Sequence, residues 1–279
     1  MTYALTLTLA LAACFGLQSL ALHLVGGRTA KSESNFFSSI ARIQTGAAEP
    51  MAEVFLLGSS RTGRLPSRNA EFTTVANLGC DSGTALVTLR AIDKGILPLP
   101  PVLMIEGNTL VHGLGLSGKE ISGFLDSPWF GVGRKVPNLG ATARPSAFAY
   151  SILLEKKFGK ADAGEGLPWP VSAIPTIPPP DMEPLPEKAA KVVAELTAIT
   201  DRFRKRGCMM LIVQLPPGAE PESMNTRIPY ELSRVSGIPL LDLTKDLPRG
   251  SITYTDSIHM APASAAAALR SILAALEKM

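Results

Sequence analysis

The chain reads as an α/β protein. The expected architecture is a three-layer sandwich, helices on both faces of a five-stranded parallel sheet, preceded by a transmembrane helix. Three observations carry that expectation. Short segments that are almost wholly apolar alternate with longer segments of helical periodicity, the pattern of strands buried on both faces. The first 27 residues contain no Asp, Glu, Lys or Arg. Polar side chains of chemical use stand just beyond the apolar segments, where open parallel sheets collect their sites.

Residues 3–27 form one apolar run, long enough as a helix, at about 1.5 Å per residue, to cross a hydrocarbon core of about 30 Å. The expected organisation is an anchor at 1–27, a polar juxtamembrane stalk at 28–50 with one short helix, and a domain at 51–279. A cleavable signal is the rival for the run, but a basic leading region is missing. Leu11-Ala12-Ala13-Cys14 resembles a lipoprotein processing box, although Phe15-Gly16-Leu17 continues apolar instead of giving a polar tether. A buried core helix is the third alternative. Arg28, Lys31 and Arg42 follow the run and no cation precedes it, which taken alone would put the domain on the cytoplasmic side.

Strands are expected at 53–57, 73–77, 101–106, 208–214 and 239–243, and helices at 83–94, 187–206, 230–236 and 263–278. Val192, Val193, Leu196, Ile199 and Phe203 mark one face of the second of those helices. Residues 109–186 break the alternation as an insertion. Its last part, 164–186, is dense in proline and is expected to be a loop wrapping the domain or a lid beside a site.

Composition excludes several classes. The chain is 46% hydrophobic and 18% charged, with a net charge of +3. It lacks the basic, aromatic-interleaved stripe of a nucleic-acid binder. Cys14, Cys80 and Cys208 are odd in number and unrelated in spacing, neither a disulfide framework nor a zinc site. Gly113-Leu114-Gly115-Leu116-Ser117-Gly118 has dinucleotide-loop spacing, but no strand ending in an acid follows at the required distance. Gly58 to Gly63 has phosphate-loop spacing, yet Arg64-Leu65 replaces the Lys-Ser/Thr pair. Thr62 also breaks the Gly-x-Ser-x-Gly elbow of α/β-hydrolases.

One constellation survives. Gly58-Ser59-Ser60 ends the first strand, Asn77-Leu78-Gly79 the second and Glu106-Gly107-Asn108 the third, while Asp256-Ser257-Ile258-His259 precedes the last helix. A serine hydroxyl needs a base to become a nucleophile, and a histidine base needs a carboxylate to fix its tautomer. These blocks, in this order, resemble the SGNH (GDSL-type) hydrolase superfamily over roughly residues 53–279. The resemblance implies a flavodoxin-like sheet order, Ser60 as nucleophile and His259 as base oriented by Asp256. It implies an oxyanion hole of the Ser60 and Gly79 N–H groups and the Asn108 amide, with no metal or organic cofactor. Ser59 stands where the family commonly has Asp, and Glu106-Gly107-Asn108-Thr109 departs from its usual Gly-x-Asn-Asp.

Arg61, Arg64 and Arg68 cluster after the nucleophile. Arg61 and Arg64, with His112, are candidates for binding an anionic substrate. A solvated basic face is the plainer reading of the arginines, and a surface-loop histidine that of His112. Gly-Ser-Ser-Arg first blocks resemble the membrane-anchored branch that includes alginate O-acetyltransferase-like and D-alanyl-transfer proteins. That implies a single-pass protein of the cytoplasmic membrane with an extracytoplasmic domain. Its substrate would be an acylated small molecule or polysaccharide, with a membrane acyl-transfer partner and no nucleic acid. The expected activity is O-acyl ester hydrolysis or transfer. The alternative is a non-catalytic assembly or carbohydrate-binding subunit of a polysaccharide-modifying membrane complex.

Overall fold

The computed structural model of the chain describes residues 2–24, 32–113, 115–158, 167–168, 183–246 and 252–279. Helix α1 (Thr2–Leu24) is followed by α2 (Asn35–Ala47), β1 (Val54–Leu57) and the one-turn α3 (Ser60–Gly63). Then come β2 (Val75–Asn77), α4 (Ala85–Asp93) and β3 (Val102–Glu106). A helical stretch holds α5 (Leu116–Leu125), α6 (Pro128–Lys135) and α7 (Pro145–Phe158), with 3-10 turns at Leu110–His112, Pro137–Leu139 and Ala141–Ala143. Next are β4 (Leu167–Pro168), α8 (Glu187–Lys205), β5 (Met209–Gln214), α9 (Met224–Ser236) and β6 (Leu240–Asp242). The chain closes with α10 (Leu243–Asp246), β7 (Thr253–Tyr254) and α11 (Pro262–Leu276).

The α/β class and the five-stranded parallel sheet are present, in the order β2-β1-β3-β5-β6. Its strands are apolar at nearly every position because both sides of the pleat are buried. Phe55, Leu57, Leu103, Ile105 and Ile212 join one cluster with side chains of α2, α4, α8 and α9. Their neighbours Val54, Leu56, Met104, Leu211 and Val213 join a second cluster with Ala265, Leu269 and Ile272 of α11. Alternate residues of one strand thus feed opposite faces. A two-stranded antiparallel pair, β4 with β7, sits apart from the sheet.

Helix α1 is long and apolar enough to span a membrane, with 23 residues, mean hydropathy 1.8 and 6% of its apolar window buried. That low burial sets it apart from an enclosed core helix.

One expectation needs correction. Residues 35–47 are no stalk. Ser34 caps α2 by accepting a hydrogen bond from Phe37 N at 3.2 Å. Ile40 and Ile43 are fully buried, with Phe36 and Ala47 packed against the same cluster. Positions 36, 40, 43 and 47 make one helical stripe, so α2 belongs to the domain. The insertion, for whose first part no elements were expected, is largely helical before residue 159. Gln44 of α2 holds it in place, donating through Nε2 to Phe130 O and accepting from Ala141 N at 2.9 Å. Of the proline-dense stretch, Leu167–Pro168 pairs as a strand with Thr253–Tyr254. The lid expected there otherwise falls at 164–166 and 169–182, outside the described residues.

If α2 is core, Ile43→Ala must open a cavity and cost about 2–5 kcal/mol. Urea unfolding of the purified chain reads this directly. A change within about 0.5 kcal/mol, as for a surface substitution, would return α2 to the role of a stalk.

Candidate active site

The site is built where β1 runs out. Ser59 leaves the strand with extended backbone and caps α3, its Oγ accepting from Arg61 N at 3.2 Å. The turn is wrapped around a fully buried carboxylate, Glu106 at the end of β3. Glu106 accepts from Ser59 N at 2.8 Å, Ser59 Oγ at 2.8 Å, Thr62 N at 3.2 Å and Thr62 Oγ1 at 2.6 Å. Thr109 Oγ1 adds a further donor at 3.2 Å. Gly58 is required by the same packing, since a Cβ there would stand 2.4 Å from Glu106 Oε2 and 2.0 Å from Thr62 Oγ1.

Ser60 is the first residue of α3 and lies half-buried on the turn. Its Oγ is 2.8 Å from His259 Nε2, and His259 Nδ1 is 2.7 Å from Asp256 Oδ2. Asp256 Oδ1 accepts from the backbone N–H groups of Ile258 and His259, both at 2.8 Å. Desolvation opposes ionisation of Asp256, but the His259 hydrogen bond and the two backbone donors together outweigh it and hold its pKa at about 2. An ionised Asp256 accepts from Nδ1–H, which leaves the Nε2 lone pair to accept from the Ser60 hydroxyl. The loop is pinned at both ends: Thr255 N donates to His259 O at 2.8 Å, and Tyr254 bridges Met260. The carboxylate side is open to water, with the Asp256 side chain 50% exposed against 14% for His259.

The other expected residues divide. Ser60 N–H is the first of its helix and has no intrahelical acceptor, so it can serve an oxyanion. Asn108 is buried, and its amide clamps the backbone after β5, accepting from Leu215 N at 2.7 Å and donating to Leu215 O at 2.8 Å. That leaves one of its two N–H bonds uncommitted among the described residues.

Gly79 is corrected as an oxyanion donor, because its N–H donates to Asn77 Oδ1 at 2.9 Å. Its requirement is steric: a Cβ there would meet Gly63 N at 2.5 Å and Ser59 O at 2.8 Å. Arg61 is corrected from a surface cation. It reaches from α3 to donate to Pro217 O at 2.8 Å. Desolvation lowers its pKa, opposed by the nearby Glu106 and Tyr254. Arg64 is exposed and lines, with Arg42, Arg68, Asp81 and Tyr150, a cavity of about 500 Å³ that holds none of Ser60, Asp256 or His259. Arg68 pairs with Glu49. His112 is exposed on its 3-10 turn and makes no hydrogen bond to the Ser60 group among the described residues.

Two structural residues of the site had no role in the sequence reading. Glu106 is one, and Asn77 is the other: its Nδ2 donates to Thr62 O and Leu65 O, both at 2.7 Å, closing the far end of α3. The available signal was a polar residue ending an apolar strand. Among the described residues no group of three or more His, Cys, Asp or Glu is placed to hold a metal ion.

No protein-family model, no curated protein and no solved structure matches this chain.

The Glu106 cradle makes a sharp expectation. Glu106→Gln keeps the volume but turns one acceptor into a donor facing Ser59 and Thr62, leaving buried groups unsatisfied at about 1–3 kcal/mol. The variant should unfold at lower urea and lose the Ser60–His259 contact. A His259 imidazole NMR spectrum unchanged from wild type would contradict it.

Proposed function

We propose that the chain is a serine-dependent acyl-transfer enzyme of SGNH type, an O-acyl esterase or O-acyltransferase. One observation carries the reading. Ser60 and His259 are 199 positions apart in sequence yet meet at 2.8 Å, with Asp256 on the other imidazole nitrogen. A structural turn serine has no need of a histidine backed by an ionised carboxylate.

In this reading His259 Nε2 takes the Ser60 proton as Oγ attacks an ester carbonyl, and Asp256 stabilises the imidazolium. The tetrahedral oxyanion is met by Ser60 N–H and by the uncommitted Asn108 N–H. Collapse returns the proton from Nε2 to the leaving alcohol and leaves an acyl group on Ser60. Water, or a sugar hydroxyl, then attacks that acyl group with His259 again as base. Losing one oxyanion donor typically costs about 10²–10³ in rate, so two donors instead of the expected three imply a slower enzyme or a third donor brought by the substrate.

The strand order supports the flavodoxin-like arrangement, and apolar clusters on both sheet faces support the three-layer sandwich. Helix α1 supports a single-pass anchor in the cytoplasmic membrane. The resemblance to the membrane-anchored branch supports an extracytoplasmic domain acting on a carbohydrate polymer. A second reading, a non-catalytic assembly or carbohydrate-binding subunit, is favoured by one feature: the Gly79 N–H is already satisfied within the protein.

Detergent-solubilised full-length chain should hydrolyse p-nitrophenyl acetate and take up a fluorophosphonate at Ser60. Asp256→Asn should lower turnover by about 10⁴, and Ser60→Ala should abolish labelling. Wild-type turnover no higher than that of Ser60→Ala, with no labelling, would leave the non-catalytic reading standing.

A further inference from the structure

Large apolar side chains exposed singly on a protein surface are ordinary. Here they are concentrated. Outside α1, six of the ten large hydrophobic residues exposed among the described residues fall within residues 116–153: Leu116, Trp129, Val136, Leu139, Ile152 and Leu153. This stretch is also where the domain holds α1. Gln18 Nε2 donates to Ala143 O at 2.5 Å and to Asn138 O at 3.1 Å, and Asn138 Nδ2 donates to Ser19 Oγ at 2.6 Å. Leu22 packs with Ala143 and Phe148.

The attachment lies inside the apolar helix rather than beyond it. Leu17, Leu20 and Leu24 remain 68%, 54% and 75% exposed around it. The surface of α1 that needs lipid cover therefore continues through the level at which the domain attaches. Leu139 adjoins Asn138 at that level, 56% exposed. Trp129 near the start of α6 and Val136, the residue that follows its end, are both exposed in the segment leading to it. Trp129 is 70% exposed, and tryptophan favours the bilayer boundary, where an apolar ring meets polar headgroups. The exposed Lys135 beside Val136 can lie along apolar surface with its ammonium in water.

We propose that the surface formed by α6 and the 137–139 turn rests in the boundary of the bilayer that α1 enters, so that the domain lies against the membrane. The proposal rests on the anchor reading of α1, and its occupant is lipid. Continuity with the exposed flank of α1 is the reason for choosing lipid over a protein partner.

The test uses full-length chain in phospholipid vesicles, in a Cys14→Ser background. Burial pushes the Cys80 thiol up to about 12 and the Cys208 thiol up to about 11, so neither competes for label. An environment-sensitive fluorophore is placed in turn at Leu9→Cys in α1, at Leu139→Cys and at Lys278→Cys near the chain's end. Nitroxide-bearing lipids are the quenchers. The expected result is quenching at position 9, blue-shifted emission with strong quenching by shallow nitroxides at 139, and water-like emission at 278. Quenching at 9 without quenching at 139 overturns the proposal while the anchor stands. A label at 139 shielded from iodide yet insensitive to lipid nitroxides would mean a protein partner or a second copy, and also overturns it. No quenching at either position removes the anchor reading and the proposal together.

Discussion

A carboxylate taken out of water must be met by donors, or its desolvation penalty of several kcal/mol opposes folding. Glu106 is fully buried at the end of β3, and nearly all its donors come from a single turn, that of Ser59 to Thr62. The requirement runs in both directions. The turn cannot relax without stranding the carboxylate, and the carboxylate is satisfied only while α3 begins at Ser60. Gly58 and Thr62 complete the enclosure. The position of the Ser60 hydroxyl is thus set by the carboxyl group behind it, leaving the hydroxyl itself to meet His259.

The same device recurs along the sheet's carboxyl edge. β2 ends at Asn77, β5 at Gln214 and β6 at Asp242, all buried. Asn77 closes the far end of α3, Gln214 Nε2 donates to Asn225 O, and Asp242 accepts from Tyr230 Oη and from Thr244. These three side chains, with Glu106 of β3, bond to the segment that follows a neighbouring strand or their own. Gly107 shows how closely these loops pack, since a Cβ there would lie 2.7 Å from Pro229 Cβ. Most of the edge's polar groups are paired, Gln214 Oε1 and Asn225 Oδ1 being buried without a hydrogen-bond partner among the described residues, and the Ser60 group is mounted on this edge.

What could be read beforehand follows from range. Strands buried on both faces are apolar runs in any context, so the sheet was legible. Ser60, Asp256 and His259 were legible because their types are chemically specific and each stands in a loop beyond a strand. The roles of Glu106 and Gly79 were not, since they depend on where hydrogen bonds go. Glu106 meets Ser59 across 47 positions, a distance no local pattern records. The Gly79 N–H is taken by an Asn two residues earlier, a short-range habit of Asn side chains that the oxyanion reading of the glycine overrode. α2 was hidden by its Ser- and Ala-rich composition, although Phe36, Ile40 and Ile43 carry a helical stripe. The helices of the insertion were hidden because they are short: Ile121, Leu125 and Phe130 are buried in the core, but they spread over two brief helices, and at Gly133 the contact is made by backbone, a Cβ there lying 2.4 Å from Gln44 Nε2.

The central claim is that the buried Glu106 cradle presents Ser60 to His259 as a nucleophile. The measurement closest to it is the covalent intermediate itself. Full-length chain mixed with an activated acetyl ester, quenched in acid within the first turnover and digested, should carry one acetyl group on the peptide containing Ser60. Acetylation found only on lysines or on the exposed Cys14, with the Ser60 peptide unmodified, would contradict the account.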